Sequence, residues 1–117
     1  MGHTCLLEIG DLVLDVNANL AKLLGRTGWN AIQVMAVDRY DLPPGEYTFH
    51  GLVVLRSMIP FPHITNQPTR LVDIIGQFTY LYETDPHTLT KVLAIECVLN
   101  MMETNGARDK VVRIYYE

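Results

Sequence analysis

The side chains equipped for nucleophilic, acid–base or metal chemistry in this chain are four histidines, two cysteines, one serine and scattered carboxylates. His3, His50, His63 and His87 contain no pair at i, i+3 or i, i+4 spacing, and no H-E-x-x-H occurs, so no helical metal site is offered. His50 falls in the middle of a predicted strand and could serve as a ligand or base, but a surface or half-buried strand histidine is the plainer reading. His87 sits at the second position of a predicted helix, where a cation opposes the macrodipole. Ser57, the sole serine, has no histidine and acid beside it in sequence and reads as a residue that turns the chain at a strand end. Cys5 and Cys97 lie in apolar runs without C-x-x-C spacing and read as buried free thiols. Asp38 and Asp41 flank a turn, which accounts for them without an acid–base role. No glycine-rich phosphate cradle occurs. The residues therefore predict no catalytic site, no metal and no cofactor.

A different kind of chemistry is available at Met58-Ile59-Pro60-Phe61-Pro62-His63-Ile64. Two prolines keep this apolar stretch out of a regular ladder or helix, so its side chains cannot all bury within one element. Either the loop folds over the core edge, or it presents Met58, Ile59, Pro60, Phe61 and Ile64 to another subunit, a partner or a membrane interface. Phe61 is the anchor in the second reading, because aromatic residues dominate such contacts. Tyr80, Tyr82, Tyr115 and Tyr116 could line a further contact, although half-buried aromatics are the plainer reading.

Composition narrows the partners. Hydrophobic residues make up 49% of the 117 positions and charged residues only 19%, a balance that calls for a large core, an apolar surface covered by a partner, or both. The net charge is −4, and the nine lysines and arginines are scattered with no two adjacent. Strong direct binding to nucleic acid needs a basic patch and is not expected. No apolar run approaches the roughly 20 residues needed to span a bilayer, and positions 1–20 lack the pattern of a secretory signal. An intracellular location is expected.

The elements that must position these residues can be read from periodicity. Cys5 to Ile9 reads as a strand, and Leu12 to Val16 as either a strand or a first helical turn. Val16, Leu20, Leu23 and Leu24 share a helical face that ends at Gly25. Trp29 to Val37 reads as a strand, and Asp41 to Glu46, with Pro43 and Pro44, as a turn. A second strand from Glu46 to Ser57 would then pair with the first as an antiparallel hairpin. Leu71, Ile74, Ile75, Phe78 and Leu81 or Tyr82 form a helical stripe entered at Pro68. Asp85-Pro86 is an N-cap followed by proline at N1, and Asn105-Gly106 closes the helix that starts there. Val111 to Tyr116 reads as the closing strand. The chain is thus expected to be a single α+β domain, residues 1–117, with an antiparallel sheet and two or three helices on one face.

At Arg56-Ser57-Met58-Ile59-Pro60-Phe61, preceded by Phe49 and Val53-Val54, the chain resembles the globular core of rhabdovirus matrix proteins, whose strand of type F-x-V-x-x-T-V ends in R-S-x-x-P-F. The likeness continues through Leu71 to Phe78, Leu81-Tyr82, and Lys91-Val92-Leu93-Ala94, covering roughly residues 47–100. The lysine-rich extension and P-P-x-Y motif of that family have no counterpart in these 117 residues, since Pro43-Pro44-Gly45-Glu46-Tyr47 is one residue out of register. The resemblance implies a non-enzymatic structural protein of the virion that self-associates and links the viral nucleocapsid or its nucleoprotein to the inner membrane leaflet during assembly and budding. It would act in the virion and in the host-cell cytoplasm or at the inner face of the host membrane. A different class of reading is a small non-catalytic binding module that holds an apolar ligand or partner peptide between sheet and helices. An enzyme would have to use His50 or His63 with a nearby acid.

Overall fold

The computed structural model describes residues 5–16, 37, 42–59 and 86–116. Along the chain these form β1 (Cys5–Ile9), β2 (Leu12–Asp15), β3 (Gly45–Thr48), α1 (Phe49–Ser57), α2 (Pro86–Thr104) and β4 (Val111–Tyr116). The four strands make one antiparallel sheet in the order β2-β1-β4-β3. Sheet and helices together are an α+β fold, as the element pattern predicts.

Local sequence explains the sheet. Ile9 pairs with Leu12, which leaves a two-residue loop, Gly10-Asp11. Gly10 has φ of +58°, and tight hairpin turns whose twist matches that of the strands need positive φ at this position. This turn decides the ambiguity at Leu12 in favour of a strand. Alternation then sorts the faces. Cys5, Leu7 and Ile9 of β1 and Val112 and Ile114 of β4 are buried, with Leu7 opposite both Leu14 and Ile114. The other face carries Glu8, Val13, Glu46 and Arg113 in one row across the sheet.

α2 is the centre of the core. Val92, Leu93, Ala94 and Ile95 are consecutive and all essentially inaccessible. Successive helical residues turn by roughly 100°, so these four span roughly 300° of the helix circumference. A helix buried this far round is covered on more than its sheet side. α1 supplies part of that cover: the Arg56 Nε donates to Glu96 Oε1 at 3.4 Å, with both side chains mostly shielded.

The bounds of α2 agree with the signals at Pro86 and Gly106, while Asp85, read as its N-cap, lies outside the described residues. The helix begins at Pro86, whose missing N–H is one the first turn leaves unpaired in any case. At its end the N–H of Gly106 donates to the Glu103 carbonyl and that of Ala107 to the Met102 carbonyl. This is the Schellman arrangement. It requires the φ of +61° found at Gly106, and it buries Ala107 together with Met102.

The strand expected over residues 46–57 is a correction. Only residues as far as Thr48 are extended, and Phe49–Ser57 is helical. Thr48 is the N-cap: its side-chain oxygen accepts from the Gly51 N–H at 3.0 Å, satisfying a donor that the first helical turn leaves free. The inward residues Phe49, Leu52, Leu55 and Ile59 recur at helical spacing and pack on the core. The described partner of β3 is β4. Thr48 to Gly45 pair with Val111 to Ile114 of β4, and the hairpin expected with residues 29–37 lies, Val37 apart, outside the described residues. Of that predicted strand only Val37 is described, and it is helical and buried. The predicted helices over residues 16–24 and 69–82 lie outside the described residues, apart from the buried Val16.

Candidate functional site

Helix formation at residues 49–57 gives the Met58 region its setting. With Phe49, Leu52, Leu55 and Ile59 turned inward, the positions at i, i+3, i+4 and i+7 on the opposite side are His50, Val53, Val54 and Ser57. All four are exposed, as are Gly51 and Met58. Val53 and Val54 are each 42% accessible and Met58 is 72% accessible. This outer face contains no Asp, Glu, Lys or Arg. Surface helices usually turn charged residues to solvent, whereas the centres of protein interfaces are depleted of charge and enriched in methionine.

Of the five residues singled out for contact, the structure describes two. Met58, the C-cap of α1, projects into solvent as the contact reading requires. Ile59 leans on the core, as the reading of a loop folded over the core edge requires. The helix stops here because Ile59 precedes Pro60, and a residue before proline is disfavoured in the α region. Pro60, Phe61 and Ile64 lie outside the described residues, as do His63, Tyr80 and Tyr82. Sequence reasoning missed Val53 and Val54, which it placed in a strand. The available signals were Thr48, a capping residue three positions before Gly51, and the spacing of Phe49, Leu52, Leu55 and Ile59.

Of the groups considered for catalysis, the structure describes Ser57, His50, His87, Cys5 and Cys97. The Ser57 hydroxyl donates to the Val54 carbonyl at 2.7 Å, closing the last turn of its own helix. His50 stands in the exposed first turn of α1, not in a strand, and His87 is exposed in the first turn of α2. Cys5 and Cys97 are both buried. Burial, and secondarily the neighbouring Cys5, pushes the Cys97 thiol well above its ordinary range. It remains protonated and poorly nucleophilic at neutral pH. Among the described residues no cluster of three His, Cys, Asp or Glu could hold a metal ion. Also among them, no helix is long and apolar enough to cross a membrane.

Two further surface features are polar. An open notch of about 430 Å³ beside the end of α2 is lined by Glu103, Gly106, Arg108 and Asp109. Its arginine already holds Glu103 at 2.7 Å and lies 4.7 Å from the centroid of the Phe49 ring. On the outer sheet face the Arg113 guanidinium lies 4.8 Å from the Tyr115 ring centroid and 3.9 Å from Glu8. The Tyr116 phenol instead serves the fold, donating to the Leu42 carbonyl.

Compared with family models, curated proteins and solved structures, the chain matches none.

Proposed function

We propose that this chain is a non-catalytic structural protein that works by self-association through the outer face of α1 and the loop after it. The observation that carries the reading is the charge-free face of Val53, Val54 and Met58. Burying it against a second copy would remove apolar area from water at roughly 25 cal/mol per Å² without stranding a charge. Three side chains alone make a small patch, so tight association draws on neighbouring contacts, for which Pro60, Phe61 and Ile64 are the candidates. The role proposed for the assembly is that of a viral matrix layer, bridging a nucleocapsid or its nucleoprotein to the inner leaflet of an envelope during budding. That part rests on the likeness at Arg56 to Phe61 and Lys91 to Ala94. Residues 49–57 differ from the strand that the likeness implies.

Size-exclusion chromatography with light scattering, over a concentration series at low and high salt, tests the self-association. The expected result is a mass that grows with concentration and persists in high salt, because apolar contacts are not screened as charge contacts are. A monomer at every concentration would overturn the proposal.

A further inference from the structure

We draw no further inference here: the strongest candidate, the exposed apolar face of α1 formed by Val53, Val54 and Met58, belongs to the surface already proposed for self-association, and nothing in the structure shows any other occupant that covers it.

Discussion

The Tyr116 phenol donates to the carbonyl of Leu42 at 2.7 Å, joining residues 74 positions apart. Tyr116 is near the end of the central strand β4, and Leu42 is a fully buried residue just ahead of β3. The hydrogen bond therefore fixes where the chain enters the sheet edge. Tyr116→Phe keeps the ring and removes the donor, leaving a partly buried carbonyl unpaired. The expected loss is about 1 kcal/mol, read as a lower urea midpoint with an unchanged m-value. A midpoint equal to that of the parent would mean the bond contributes nothing in solution.

Thr48 gives a substitution whose sign depends on the conformation of residues 49–57. Were they a strand, Thr48→Val would be neutral or mildly stabilising, since valine suits a strand. With Thr48 as the N-cap of α1, the same change should cost about 1 kcal/mol, and Thr48→Asp should retain most of the stability. Thermal unfolding of the two variants separates the cases. Gly51 adds a cross-check, because a Cβ there would come within 2.9 Å of the Thr48 Oγ1. Gly51→Ala should gain helix propensity only when Thr48 has already been replaced by alanine, a coupling that a double-mutant cycle measures.

The contrast between α1 and the other elements shows what this sequence makes legible. β1, β4 and both ends of α2 are written in short-range signals: alternation in Cys5–Ile9 and Val111–Tyr116, proline at residue 86, glycine at residue 106. Each depends on a few adjacent residues, so sequence alone suffices. α1 is disguised because Val53 and Val54 are β-branched and adjoin Leu52 and Leu55, producing a continuous apolar run. Such a run cannot be assigned by period alone. The Thr48 cap and the spacing of Phe49, Leu52, Leu55 and Ile59 favour a helix, and tertiary placement decides that its two valines face out while Phe49 and Leu52 face in. The partner of β3 is illegible for a related reason, since its ladder joins Thr48 to Val111 and nothing local encodes so distant a pairing. Of the contact residues, the apolar loop stands out by composition. The helical face continuing it could not be seen without the helix.

Gly106 isolates a backbone effect. With φ at +61° and open space where a Cβ would stand, Gly106→Ala meets no collision. The penalty is the left-handed conformation itself, roughly 1–2 kcal/mol for an L-residue. Gly106→Asn should recover part of it, because asparagine tolerates that region. Chemical denaturation of the two variants should rank the parent first, asparagine second and alanine last. Equal stability of all three would mean that the helix end relaxes to another geometry.

The buried thiol of Cys97 predicts a loss of stability in alkali. Its folded pKa is raised, chiefly by burial, so the unfolded chain loses the proton first as pH rises. The stabilising contribution is complete below the unfolded thiol value of about 8.5 and declines above it, by up to about 1.4 kcal/mol per pH unit. Cys97→Ala should flatten this slope between about pH 8.5 and 10, whatever it does to stability at neutral pH. An identical slope in the variant would assign the alkaline loss to other groups. Thiol-reactive dye should also label the parent only as fast as it unfolds.

A lysine placed on the outer face of α1 tests the self-association in a way that net charge cannot imitate. The chain carries −4, so an added cation lowers the overall repulsion between copies and by itself favours association. If the face of Val53 and Met58 is the contact, Val53→Lys and Met58→Lys should nevertheless weaken assembly tenfold or more, about 1.4 kcal/mol, by burying an unpaired charge. Both positions are substantially exposed, at 42% and 72%, so folding should change by less than about 0.5 kcal/mol. Val13→Lys is the comparison. Val13 is 50% exposed and lies opposite Glu8 on the outer sheet face, which the proposal leaves free. Light scattering should show assembly lost in the first two variants and kept in the third. Assembly kept in all three would remove α1 from the interface, and assembly lost only with Val13→Lys would move the contact to the sheet.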